Sequence, residues 1–479
     1  MSANRISDAR APHQLWTLVL ASLGLFICAL DTLIVSTALP VLRVDLGASL
    51  EELEWTVNTY NLSFACLLLT GAALGDRFGR RRMFSLGLLG FALSSALAAV
   101  SPDIQVLIIA RGLQGAFAAL VFPLSLTLIT EAFPVEKRST AIGIWGGIAG
   151  TAVAAGPVVG GAIIEGIDWH WIFWLNVPIG LALVPLCLRR LSESFGPRPQ
   201  LDMVGVVLSA GGVLGLTWAL VRANSAGWGS LEVIGTLVAG FVVGALFFLW
   251  EARVKSPMLV LGLFRDRGFA TANGVSFFMY AALFGSLFLI SQFLQTALHF
   301  GPLAAGLRIL PWTATPMVIA PIAGALAEKY GNRPFMTMGL ALQAIGLAGV
   351  ALLASADVSY LELGAALVVA GVGISMCFPT VASAVVSSVP ISEAGVASGA
   401  NSAVRELGGV FGVAVLAAVF ANQGGYASPE AFVDGFVPGI WLGAGLSLLG
   451  VIAALLSPGR VAVATQTAPH AAVPVPVAD

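Results

Sequence analysis

The stretch Leu74-Gly75-Asp76-Arg77-Phe78-Gly79-Arg80-Arg81-Arg82 returns in weaker form as Ala327-Glu328-Lys329-Tyr330-Gly331-Asn332-Arg333, 252 residues further along the chain. Each copy closes an apolar run and carries, in the same order, a carboxylate, a cation, an aromatic ring and a glycine. Later landmarks repeat at a nearly constant offset of 256: Phe122-Pro123 matches Phe378-Pro379, Pro134 matches Pro390, Ala141 matches Ala397 and Gly143 matches Gly399. Six apolar runs therefore recur as six, with two more between the halves.

The composition says what those runs are. Of 479 residues, 58% are hydrophobic and 10% charged, and mean hydropathy is +0.93. A soluble domain carries about 25% charged residues, and a chain of this size has no single core able to hide so much apolar surface. With 55 Gly and 24 Pro in no strict period and only four Cys, fibrous, disordered and disulfide-stapled classes are excluded as well. A polytopic all-α membrane protein remains. Lys+Arg 23 against Asp+Glu 25 gives a net charge of −2, which implies no nucleic-acid partner. Cys28, Cys66, Cys187 and Cys377 lie in apolar runs and have no metal-ligand spacing, so neither metal nor cofactor is expected.

A helix needs about 20 mainly apolar residues to cross a hydrocarbon core of about 30 Å. That window yields fourteen spans, at 15–39, 54–75, 83–101, 104–130, 139–164, 171–189, 202–222, 231–251, 270–295, 302–328, 334–354, 360–388, 396–421 and 434–457. The organisation expected is a cytoplasmic segment 1–14, a six-helix bundle 15–190, two linker spans in 200–255, a second bundle 265–457 and a disordered cytoplasmic tail 458–479. With both termini inside, 18 of the 23 basic residues fall on the cytoplasmic side, as the positive-inside rule requires. The first run is too long for a signal-peptide core, and the chain is expected in the cell inner membrane. Internal duplication of spans is characteristic of transporters whose site lies between two rocking bundles.

Four motifs carry a closer resemblance. The 74–82 loop has a glycine for a tight turn, a carboxylate at a helix end and arginines able to pair with it. In the first span, Leu30-Asp31-Thr32-Leu33-Ile34-Val35-Ser36-Thr37-Ala38-Leu39-Pro40 puts an ionisable residue inside the membrane, which must face a wet cavity or a partner. Arg111-Gly112-Leu113-Gln114-Gly115-Ala116-Phe117 adds a buried cation in the fourth. In the fifth, Gly143 and Gly156-Pro157-Val158-Val159-Gly160-Gly161 allow close helix approach and a bend. Over about 12–457 the chain resembles the fourteen-helix drug:proton antiporters of the major facilitator superfamily, departing from their pattern at Ser36, Ala72, Phe117 and Ala152. The string Trp169-His170-Trp171-Ile172-Phe173-Trp174-Leu175-Asn176-Val177-Pro178 is also similar to the fourteen-helix branch, and its tryptophans suit an interfacial belt.

The resemblance implies a set of roles. Asp76, Arg77, Gly79, Arg80 and Arg81 would latch the two halves in one conformation. Asp31 would carry the proton, since burial favours the neutral carboxyl that a carrier working near neutrality requires. Arg111 would tune that transfer as a fixed cation. Gly143, Gly156, Pro157, Gly160 and Gly161 would set antiport rather than uptake. In span 13, Glu406 is a second candidate proton or cation site; Arg405 beside it is not automatically its partner, because adjacent helix positions do not face each other. Tyr60, Asn61, Gln114, Trp145, Gln292, Phe293, Trp312 and Asn401 are candidate substrate contacts in spans expected to face the cavity.

The expected activity is export of amphipathic or cationic small molecules in exchange for protons by a functional monomer. The alternatives are export of an endogenous metabolite, antibiotic or lipid, and proton-coupled import. An enzyme is not expected: His13, His170, His299 and His470 are scattered, with no His-Glu-x-x-His string.

Overall fold

The computed structural model describes residues 3–196, 202–255, 257, 259–389 and 394–458. The expected N-terminal segment lies within the first helix from Ala3, and the expected tail beyond 458 falls outside the described residues. The helices, in chain order, are α1 Ala3–Asp45, α2 Leu50–Phe78, α3 Arg80–Ala99, α4 Ile104–Ala132, α5 Val135–Gly166, α6 Trp171–Trp174, α7 Asn176–Arg190, α8 Met203–Ala226, α9 Leu231–Glu251, α10 Arg267–Thr296, α11 Pro302–Thr313, α12 Pro316–Tyr330, α13 Asn332–Leu353, α14 Tyr360–Ser387, α15 Ala394–Gln423 and α16 Pro429–Leu456. Thirteen stretches among the described residues are long and apolar enough to cross a membrane, and α2, bent by 50° between Leu50–Leu68 and Thr70–Phe78, makes the fourteenth.

Two spans are broken where proline removes a helical donor. Pro178 cannot reach back to Trp174, and α6 ends there. Pro316 cannot bond the Trp312 carbonyl, which instead accepts from Thr315 Oγ1 at 2.8 Å, so the tenth span divides into α11 and α12. The first span runs through Pro40 to Asp45, six residues past the expected end.

Spans α1 to α7 pack among themselves, as do α10 to α16, while α8 and α9 form a hairpin on the flank. That hairpin leans on α2 and α15: Trp218 meets Trp55 at 5.4 Å, and Ala210 and Val213 pack with Leu62, Cys66 and Val410. Small residues set the close crossings. Added side-chain carbon at Gly115 would strike Ser63 and the Tyr60 carbonyl, and at Gly412 the Ala281 backbone. Phe117, where the family pattern has glycine, is accommodated because Gly90 of α3 leaves a notch that its ring fills.

The two related loops share one geometry: Gly79 has φ +102° and Gly331 φ +88°, a region open mainly to glycine. Both lie at the end of the molecule that gathers the arginine-rich connections, called here the basic end.

The halves touch at the opposite end. Because Pro40 has no N–H, the Ser36 carbonyl is free to accept from Ser291 Oγ of α10 at 2.7 Å, and Gln295 Nε2 donates to the Thr37 carbonyl at 2.9 Å. Leu303 N–H donates to Glu165 at 3.2 Å, and the Arg43 guanidinium lies 3.7 Å above the Tyr426 ring. At the basic end α5 packs on α1 and α4 through Ala141 and Trp145, but Gly143, Gly146, Gly147 and Gly150 face open space, and Met317, Val318 and Ile322 of α12 are exposed. The structure is closed at the opposite end and open at the basic end.

Candidate functional site

Asp31 is carried by α1 and Arg111 by α4, both about 1% exposed, and their side chains form an ion pair. Neither could stay charged at this depth alone, since an unpaired buried charge is strongly disfavoured. The pair is embedded in donors. Asn176 Nδ2, at the start of α7, reaches Asp31 Oδ1 at 2.7 Å, and Gln114 Nε2 reaches it at 3.3 Å while also donating to Ser95 Oγ at 2.7 Å. Arg111 donates to Gln114 Oε1 at 3.0 Å and to the Thr56 carbonyl at 3.3 Å, and its guanidinium lies 4.3 Å over the Tyr60 ring. Every partner of Asp31 offers a positive charge or an N–H, the surroundings of an ionised carboxylate.

The sequence singled out Asp31 and Arg111 separately, and the fold joins them. Gln114, a candidate substrate contact, lies in this cluster. The signal for Asn176 in the sequence is a polar residue at a span's start two positions before a proline. Trp169 is no belt residue: it is 2% exposed and its indole donates to Asp45 at 2.6 Å, whereas Trp171 is 51% exposed.

Other candidates scatter. Gln292 accepts from Tyr426 at 2.6 Å, and Phe293 stacks on Phe436 at 4.3 Å inside the second bundle. Trp312 is 1% exposed and equally enclosed. Asn401 donates to Asn273 at 3.1 Å and Ser276 at 2.7 Å. Asn61 is buried on α2. Tyr60 and Trp145 end a file of rings running from Arg111 toward the basic end, with Tyr60–Phe64 at 6.3 Å, Phe64–Phe122 at 5.7 Å and Phe122–Trp145 at 5.8 Å. The second half has its own file, Tyr280 with Phe284 at 5.5 Å and with Phe378 at 5.8 Å; Phe378 is the repeat mate of Phe122. Arg405 approaches Glu406 at 3.9 Å, a pairing that spacing alone left open, and it also lies 4.8 Å over Tyr280.

The loop after α2 pairs entirely within the first half. Arg80 donates to Asp76 at 2.7 and 2.9 Å and pairs with Glu131 of α4. Arg81 N–H donates to Glu193 at 2.9 Å, and Gly196 N–H to the Asp76 carbonyl at 3.0 Å. Arg77 stays outside this cluster, over Phe78 at 5.3 Å. With the basic end open, these pairs do not bridge the halves; Glu131 and Glu193, absent from the sequence expectation, are their acceptors.

In α5, Gly156 and Gly160 sit against Leu33 and Ile34 of α1, and Gly161 against Pro302 and Leu303 of α11, where Gly306 reciprocally meets Pro157. Gly156 and Gly160 thus pack within the first half, while Gly161 and Pro157 form the seam between the halves at the closed end. Gly143 takes no part in it.

Known proteins agree with this architecture. The Major Facilitator Superfamily profile matches residues 21–413. The tetracenomycin C resistance and export protein of Streptomyces glaucescens is 34% identical over 88% of this chain and 79% of its own. The multidrug efflux pump LfrA of Mycolicibacterium smegmatis is 34% identical over 96% of this chain and 91% of its own. Among solved structures, a POT family transporter shares the fold with a TM-score of 0.68 at 15% identity, over 92% of this chain and 96% of that one. The chain belongs to the Major Facilitator Superfamily and is a multi-pass membrane transporter rather than an enzyme.

Proposed function

We propose that the protein exports amphipathic, including cationic, small molecules in exchange for protons, as a monomer, with both termini and the basic end in the cytoplasm. The observation that carries this reading is the buried Asp31–Arg111 pair, set in a structure whose halves meet at one end and part at the other. The relatives named for drug and antibiotic export support the cargo class, and the arginine bias supports the orientation. Cargo enters between the aromatic files of the two halves, with Glu406 at their edge for a cationic group. Protonating Asp31 removes its charge from Arg111, loosens the cluster and permits the halves to rock; loss of the proton to the cytoplasm restores the pair described here. One proton supplies about 2.3 kcal/mol per 100 mV and about 1.36 kcal/mol per pH unit, enough for a cargo gradient of about a hundredfold.

The test is dye transport in energised vesicles. Asp31→Asn inserts in the membrane but loses accumulation driven by a pH gradient. Full activity in that variant removes Asp31 from the mechanism. Accumulation that falls when an uncoupler is added to intact cells would point to import instead.

A further inference from the structure

Four faces of α2 can be told apart, because successive residues turn by about 100°. Thr56, Thr59 and Ser63 face α4, where Arg111 and the Ile108 and Gly112 carbonyls meet them. Trp55, Leu62 and Cys66 face α8 and α15. Leu53, Val57 and Tyr60 turn to α1, Tyr60 bonding the Cys28 carbonyl at 3.2 Å. The remaining face holds Glu54, Asn58 and Asn61, one turn apart and aimed at the centre of the closed seam. They are 2%, 0% and 1% exposed. Glu54 Oε2, both polar atoms of the Asn58 side chain and Asn61 Nδ2 make no hydrogen bond.

An apolar seam would hold two halves together more simply than one containing a carboxylate. The charged groups around Glu54 do not balance it. On α2 itself Glu51 is one turn away, engaged by Arg222 of α8 at 3.1 Å. From the loop before α16, Tyr426 lies within electrostatic range, with Arg43 of α1 stacked over its ring rather than directed at Glu54. The nearby parts of α10 and α15 present Ser291, Gln292, Gln295 and aliphatic side chains. No cation forms an ion pair with Glu54 among the described residues. Ionised, it would be a buried charge without a partner; protonated, it is a neutral donor beside two amides.

We propose that Glu54 is a second proton-binding site, loaded from the opposite end when α2 and α15 part and sealed, with its proton, when they close. Parting exposes Glu54 to water, where a carboxyl titrates near its usual value of about 4.3 and is ionised at neutral pH. Closing therefore takes up one proton. The ratio of closed to open molecules falls by up to about tenfold per pH unit as pH rises above that value, until the sealed carboxyl would itself ionise. Acid on that side shuts the seam. This goes beyond the Asp31 exchange: Glu54 sits at the end that is closed, and so senses the opposite compartment rather than delivering a proton across.

The test uses the full chain in liposomes, with spin labels at Val44→Cys and Leu361→Cys, which are 80% and 82% exposed at the opposite end of the two halves. Short and long label distances are populated as pH is stepped from 4 to 8. The long-distance fraction is expected to rise with pH, to lose that rise in Glu54→Gln and to keep it in Glu54→Asp. Asp31 protonation would itself shift the halves in the opposite sense, so the series is also run in Asp31→Asn, where the rise with pH persists and the exporter reading plays no part. The proposal is overturned if the Asp31→Asn chain shows no pH dependence, if adding Glu54→Gln to it keeps the full rise, or if exchanging choline for sodium at fixed pH shifts the fractions as much as protons do. Should Glu54→Gln not insert, the response of the Asp31→Asn chain and of Glu54→Asp decides.

Discussion

Adding one methyl group at Gly306 should open the closed end. The glycine lies where α11 crosses α5, and a side-chain carbon there would overlap the Pro157 carbonyl and press on the Val158 nitrogen. Both obstacles are backbone, so no side chain can swing away. Overpacking of this kind costs about 1–3 kcal/mol. The contact exists only while the halves meet, and the penalty therefore falls on one of two conformations. A differential of that size shifts the equilibrium by about 5- to 150-fold. The assay is alkylation of Ser291→Cys, fully buried where α10 meets the Ser36 carbonyl of α1, by a maleimide that does not cross membranes. Its rate follows the fraction of molecules open on that side. Gly306→Ala should accelerate it within that range, while Gly143→Ala, which meets nothing within 4 Å, should leave it unchanged. An unaltered rate in Gly306→Ala, with the protein still folded, would refute the assignment of this crossing as the seam.

Three further outcomes follow from particular contacts. Asp31→Asn strands Arg111 in the interior and should lower stability by about 3–5 kcal/mol; adding Arg111→Gln should recover most of the loss in Tm but no driven transport. Gly79→Ala forces a side chain onto a backbone at φ +102° and against the Glu193 carboxylate, with an expected loss of about 1–3 kcal/mol read from thermal unfolding in detergent. Trp169→Phe keeps the ring but deletes the donor to Asp45, and should cost about 1 kcal/mol in the same measurement.

The number of spans, their duplication and the presence of two interior charges were all legible in the order of residues. Each is a local property: a run of about 20 apolar residues or a carboxylate within one carries its meaning without reference to its neighbours in space. The turn glycines were legible for the same reason, since Gly79 and Gly331 act on their own backbone. What required the folded chain was adjacency between helices far apart in sequence. Asn176 becomes a partner of Asp31 only because α7 lies beside α1. Gln114 joins Asp31, Arg111 and Ser95 because the side of α4 that bears it faces α1 and α3, and Glu131 and Glu193 emerge as the acceptors of the arginine loop because α4 and the chain after α7 end beside it. The closed end was likewise invisible beforehand, for Pro40 shows that a carbonyl is released but not that Ser291 will find it. Small residues let helix backbones approach in many ways; side-chain shape, as where Phe117 fills the notch at Gly90, selects which approach occurs, and that selection is made in three dimensions.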